Sequence, residues 1–152
     1  MNPIYLALLL LLVYHVPDSF SFLLTPLISV RVKPHFSSAK SKITEQVEFD
    51  TIAREWRFKW SDENEKKSLD SAQQTLAIFQ SSLSKIDGVK SVQRVVCGSC
   101  KDFKIIISLP VEKFKSWEEK TFYPEAEFIA ALKPISGISQ FETQTYTIST
   151  IL

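Results

Sequence analysis

The stretch Ile86-Asp87-Gly88-Val89-Lys90-Ser91-Val92-Gln93-Arg94-Val95-Val96-Cys97-Gly98-Ser99-Cys100-Lys101-Asp102-Phe103-Lys104-Ile105-Ile106-Ile107-Ser108-Leu109 has the pattern of a helix end, a strand, a tight turn and a second strand. β-Branched runs favour extended chain, and a Gly-bearing turn between two of them is a hairpin signal. Phe103, Ile105, Ile107 and Leu109 fall on one face of the second strand, with Lys104, Ile106 and Ser108 on the other. Ile106 on the nominally outer face implies that this face too is partly covered, by a partner subunit or by the N-terminal arm.

Upstream of the hairpin, Leu69, Ala72, Leu76, Phe79, Leu83 and Ile86 recur at alternating spacings of three and four, one apolar stripe along a helix. Sustained heptads with flanking charge pairs are lacking, so the stripe reads as a helix packed on a sheet and not as a coiled-coil seam. Residues 61–64 (Ser-Asp-Glu-Asn) supply cap candidates at its start, and Gly88 ends it by taking a left-handed conformation at little steric cost. Before the helix, Trp56, Phe58 and Trp60 alternate with Glu55, Arg57 and Lys59, the period of a half-buried strand. Residues 45–54 either extend this strand or form an arm.

Downstream, Phe114 and Trp117 sit one helical turn apart in a short segment over 111–120. Pro124 opens a second segment with Phe128, Ile129 and Leu132 inward. The aromatics Trp56, Trp60, Phe103, Phe114 and Trp117 are expected in the core, and Glu118, Glu119, Glu125 and Glu127 on solvated helix faces. A last strand over 138–151 carries Thr143, Thr145 and Thr147 on one face and Glu142, Gln144 and Tyr146 on the other. Gly88 and Gly137 each sit in the pattern Ile-x-Gly-[Val/Ile]-x-x-[Val/Phe], so the domain reads as a doubled β-α-β unit. The expected class is α+β: a ferredoxin-like βαββαβ sandwich, a four-stranded antiparallel sheet with two helices on one face. The other face is left open, and pairing of two copies through it into a homodimer is the economical way to cover it.

The chain has 152 residues, 18 basic and 17 acidic. Residues 1–44 hold four of the bases and one of the acids; residues 45–152 therefore carry 14 basic and 16 acidic residues, net −2. A slightly acidic domain with no basic run argues against nucleic-acid binding. Residues 4–14 are apolar but too few to span a bilayer, which needs about 20. With Ser19 and Ser21 they read as a signal peptide over 1–21. Residues 22–44 contain Arg31, Lys33, Lys40 and Lys42, recurrent Ser and Thr and no acid, the composition of a disordered transit-like leader. Together they resemble the bipartite presequence of proteins carried into the complex plastids of algae, with Phe22 after the cleavage point; a secretory signal followed by a disordered spacer, and a signal anchor, are the alternatives. No stable membrane span is expected after cleavage. Both histidines, His15 and His35, lie in the leader, so the expected mature domain, 45–152, has none. That excludes Ser-His-Asp and Cys-His catalysis and imidazole metal sites within one mature chain.

Cys97-Gly98-Ser99-Cys100 is a CxxC in a hairpin turn, without the helix dipole that lowers the first thiol's pKa in thioredoxin-like proteins. A disulfide across the turn, a redox-sensitive pair at Cys97 and Cys100, or half of a zinc site shared by two chains are open readings. Glu142 and Tyr146, four residues apart on one strand face, are an acid–base pair if that face lines a barrel.

The run Leu83-x-x-Ile86-Asp87-Gly88-Val89-x-x-Val92, then Gly98-x-x-x-Asp102-Phe103, then a helix and Ile135-x-Gly137-Ile138-x-x-x-Glu142-Thr143-x-Thr145 resembles the effector-binding domain of Lrp/AsnC-type regulators, a dimeric α/β-barrel. The resemblance covers residues 56–148. It implies a ligand site between subunits at the loop 98–102, with Gly98 and Asp102 as candidate contacts. No helix-turn-helix region precedes the domain and residues 119–124 insert an extra turn, so transcriptional control is not implied. The function expected is a plastid-targeted, noncatalytic ligand-binding or assembly module with no cofactor and no metal. The alternatives are a small dimeric α/β-barrel enzyme using Asp102, Glu142 or Tyr146, and a CxxC redox-responsive accessory protein.

Overall fold

The computed structural model describes residues 40–151. The expected signal peptide, and the transit-like stretch as far as residue 39, lie outside them. The first described element is a small hairpin of β1 (Ser41–Thr44) and β2 (Val47–Phe49). β1 falls within the stretch 22–44 expected as a transit-like leader.

The main sheet has four antiparallel strands, β3 (Thr51–Lys59), β4 (Ser91–Val96), β5 (Asp102–Pro110) and β6 (Ser139–Ile148), in the order β4-β5-β3-β6. Helix α1 (Glu63–Ser84) joins β3 to β4, and the second helical connection is split into α2 (Val111–Glu118) and α3 (Glu125–Leu132). Counted from β3, this is the βαββαβ order of the ferredoxin-like fold, as expected.

Strand register assigns each side chain to a face. Trp56 pairs with Ile105 and Thr143, and Phe58 with Phe103. These residues point toward the helices, where Phe128 of α3 stacks on Trp56 at 5.2 Å and meets Phe79 of α1 edge-on at 5.4 Å. Ala72, Leu83, Phe114, Trp117, Phe128 and Leu132 complete a core with Phe103, Ile105, Ile107 and Leu109. The five aromatics expected in the core are all there. Burying this much aromatic surface, at roughly 25 cal/mol per Å² of apolar area, is what holds the helices to the sheet.

The two halves share a device. Gly88 (φ +79°) and Gly137 (φ +85°) each follow a helix and lead into a strand, in a turn closed by Val89 N–H to the Ile86 carbonyl and by Ile138 N–H to the Ile135 carbonyl. A Cβ at Gly88 would sit 2.6 Å from Lys113 Cγ, so both the backbone angle and the space demand glycine there. At the start of α1, Asn64, Glu65 and Lys66 adopt left-handed angles before the right-handed helix. Ser61 Oγ accepts the Glu63 N–H, one of the amides that a helix start leaves open, and Ser68 Oγ accepts the Ser61 N–H just ahead of the helix. Among the described residues no helix is long and apolar enough to cross a membrane.

Candidate functional site

The face of the sheet turned away from the helices carries Thr51, Ala53, Glu55, Arg57 and Lys59 from β3. Asp102, Lys104, Ile106 and Ser108 from β5 lie beside them, with Glu142, Gln144 and Tyr146 from β6. α1, α2 and α3 all pack on the opposite side, yet Ala53 (0%), Glu55 (6%), Asp102 (6%) and Ser108 (5%) are scarcely exposed. Longer neighbours lie over them and pair with their charges.

Two clusters result. In the first, the Asp102 carboxylate accepts from Arg57 Nε at 3.0 Å and pairs with Lys59 Nζ at 2.7 Å, while Arg57 Nη1 reaches Glu142 Oε2 at 3.3 Å. The Lys59 hydrogen bond, reinforced by Arg57, holds the Asp102 carboxyl below the usual carboxylate range against the opposing effect of burial. Asp102 in turn pushes the Arg57 guanidinium up. In the second cluster, Glu55 pairs with Lys104 Nζ at 3.2 Å and accepts the Tyr146 hydroxyl at 3.0 Å. Burial, and then the hydrogen bond to Glu55, push the Tyr146 phenol up to about 12. A phenol so held stays protonated at neutral pH, which makes it a hydrogen-bond donor and not a base.

Asp102 and Glu142 are therefore brought together, bridged by Arg57, whereas Tyr146 is tied to Glu55 and not to Glu142. Gly98 sits in the exposed turn, with nothing within 4 Å of where a Cβ would be. Cys97 and Cys100 are bonded to each other across that turn. In this state neither sulfur is a thiolate available to a metal. Lys59 Nζ also donates to the Cys100 carbonyl at 2.7 Å, so the turn and the first cluster share a residue. Glu55, Arg57, Lys59 and Lys104 were not legible as site residues. Their signal was the polar half of the alternation that places Trp56 and Phe58 in the core.

A third polar group lies on the helix side. Arg54 reaches Glu125 through Nε at 2.7 Å and Nη2 at 2.8 Å, donates to Thr143 and Thr145, and stands 4.2 Å from the Phe122 ring centroid. This corrects the expectation that Glu125 lies on a solvated helix face: it is half-buried and fastens α3 to β3 and β6. Shallow clefts lie elsewhere. One of about 300 Å³ is lined by Ile86, Asp87, Trp117 and Tyr123, and one of about 430 Å³ runs between α1 and β4 past Leu76, Leu83, Val92 and Arg94. Neither contains Gly98, Asp102 or the cysteines.

No protein-family model matches the chain, and no curated protein matches it. Solved structures do match. A candidate antibiotic biosynthesis monooxygenase from Deinococcus radiodurans superposes with a TM-score of 0.50 at 13% identity, over 66% of this chain and 95% of the other. A protein of Mycobacterium tuberculosis superposes with a TM-score of 0.50 at 10% identity, over 66% of this chain and 96% of the other. At such identities the likeness is one of fold: a four-stranded antiparallel sheet with helices on one side.

Proposed function

We propose that this protein is a small noncatalytic ligand-binding or assembly module of the dimeric α/β-barrel type, and that its open sheet face is closed by a second copy. The observation that supports this most is the self-compensation of that face. It carries three cations (Arg57, Lys59, Lys104) and three anions (Glu55, Asp102, Glu142), each in an ion pair within the face. A lone charge is costly to cover, whereas a paired and hydrogen-bonded one is far less so. A face whose charges are already matched, with Ala53, Ile106 and Ser108 between them, is suited to lie against another surface. The Lrp/AsnC-like expectation fits the same picture. Asp102 lies on this face and Gly98 in the turn at its rim, so a small polar ligand seated between two copies would meet the Asp102 carboxylate and its cations. The fold likeness to the Deinococcus protein admits chemistry on a small molecule as a second reading.

Light scattering on the chain across a concentration series tests the pairing. The mass of two chains is expected, falling to that of one in an Ile106→Arg variant that keeps its far-ultraviolet circular dichroism. A wild-type chain that stays single throughout would sink the proposal. We further place the protein in a complex plastid, with secretion as the competing destination. A fluorescent reporter fused behind residues 1–44 and expressed in such an alga should collect in the plastid, and a secreted reporter would refute that destination.

A further inference from the structure

Cys97 and Cys100 are the only cysteines of the chain, and both stand in the turn between β4 and β5, bonded to each other with Cα atoms 5.5 Å apart. We propose that this disulfide is a reversible redox site, opened by a dithiol reductant, whose state sets the order of the Lys59–Asp102–Arg57–Glu142 chain at one end of the open face. Any consequence for the pairing of two copies rests on the reading above; the effect on the ion-pair chain does not.

Four features of the turn support this. First, it is accessible: Gly98, Ser99 and Cys100 are exposed and Cys97 is half-buried, so an attacking thiolate can reach a sulfur. Second, the fold does not depend on it. The disulfide encloses two residues, and the entropic gain of a cross-link shrinks with the loop it closes. The hairpin is held independently by the Cys97 N–H to Asp102 carbonyl bond at 2.9 Å and by the ladder from Ser91 to Val96.

Third, the turn is wired to the site. The Cys100 carbonyl accepts from Lys59 Nζ at 2.7 Å, the same nitrogen that lies 2.7 Å from Asp102 Oδ1. Cys100 Sγ lies 3.4 Å from Asp102 Oδ2, and Lys101 between them is held at φ +58°, a left-handed angle that a lysine adopts at a cost. Fourth, the change is recoverable. With no other cysteine in the chain, reoxidation within one chain can only restore the same bond.

The chemistry balances with a dithiol as co-reactant. Its thiolate attacks one sulfur of the Cys97–Cys100 bond, the other leaves as thiolate and takes a proton, and the second reductant thiol resolves the mixed disulfide. Two electrons and two protons pass to the protein, giving two thiols, and the reductant closes its own disulfide. The new Cys100 S–H stands where it can donate to Asp102 Oδ2. With the bond to Cys97 gone, Cys100 loses its covalent tie across the turn, and the carbonyl that accepts from Lys59 is held less firmly.

Hydrogen exchange and maleimide labelling of the full chain test this, with the oxidised protein compared against dithiothreitol-treated protein and against the Cys97→Ser/Cys100→Ser double variant. Dithiothreitol should expose both thiols to label while exchange in α1 stays unchanged. Amides of residues 96–104 should exchange about tenfold faster in the reduced and double-variant proteins, and recover on reoxidation. Labelling that requires urea, or equal exchange in oxidised and reduced protein, would overturn the inference. If two copies pair, reduction should also raise their dissociation constant. A chain that is single in both states but shows the exchange difference upholds the redox site and removes only the pairing.

Discussion

The two faces of the one sheet solve burial in different ways. On the helix side, Trp56, Phe58, Phe103 and Ile105 meet Phe128, Phe79 and Leu83, and apolar area removed from water supplies the stability. On the open side, Glu55 and Asp102 are nearly as inaccessible as the core, but their neighbours are Lys104, Tyr146, Lys59 and Arg57. The first face works mainly by packing, in which the Arg54–Glu125 pair is the charged exception. The second works by matched charge, which is sensitive to pH and salt and leaves a surface of nearly neutral overall charge. The lesson is that low exposure alone does not identify a core: what surrounds the buried group says which kind of surface it belongs to.

Substitutions on the two faces should therefore behave differently. Phe128→Ala removes the ring wedged between Trp56 and Phe79 and is expected to cost about 3–5 kcal/mol in urea unfolding; a loss below about 1 kcal/mol would break the packing account. Arg54→Met leaves Glu125 without its bidentate partner and two threonine hydroxyls without a donor, for a loss of about 2–3 kcal/mol. Adding Glu125→Gln to that variant should recover part of it, since the amide carries no charge to strand. A double variant as unstable as the sum of the two singles would show that the pair is not coupled.

On the open face, Glu55→Gln removes the anion shared by Lys104 and Tyr146 and should cost about 1–2 kcal/mol. The same change should lower the Tyr146 phenol from about 12 toward 10.0. Ultraviolet absorbance titration, with Tyr146→Phe as the difference reference, reads this directly. Because the folded-state phenol titrates above its unfolded value, its contribution to stability is complete below pH 10 and fades between pH 10 and about 12. Asp102 has the opposite sign. Its folded carboxyl titrates below 3.8, so its contribution is present above that pH and is lost as the solution is acidified through the folded value. Asp102→Asn should flatten the acid limb of the stability curve by lowering the neutral-pH plateau, because the stability that acid removes from the wild type is the stability this carboxylate supplies at neutral pH. An acid limb identical to wild type would place the charge dependence elsewhere.

Much of the architecture was legible because it depends on period. Trp56, Phe58 and Trp60 marked the buried face of β3, and the stripe from Leu69 to Ile86 marked α1. The echo of Gly88 at Gly137 marked the duplicated unit, and both glycines do take positive φ. The polar clusters depend instead on register. Nothing along the chain says that Lys59 lies opposite Asp102, or that Arg57 is flanked by Lys104 and Glu142, until the strands are aligned. Glu125 was misread for the same reason: behind Pro124 it looks like a solvated first-turn acid, and only the placement of Arg54 on the sheet face that α3 covers turns it inward. The hairpin of β1 and β2 was missed because its mostly exposed, polar residues show no buried alternation.

The most direct test of the open-face account is hydroxyl-radical footprinting of the chain over a dilution series. Ile106 and Tyr146 should be protected at high concentration and become reactive together on dilution, while Tyr123, already 55% exposed on the α2–α3 connection, reacts equally throughout. Reactivity of Ile106 and Tyr146 that is independent of concentration would contradict closure of this face by a second copy.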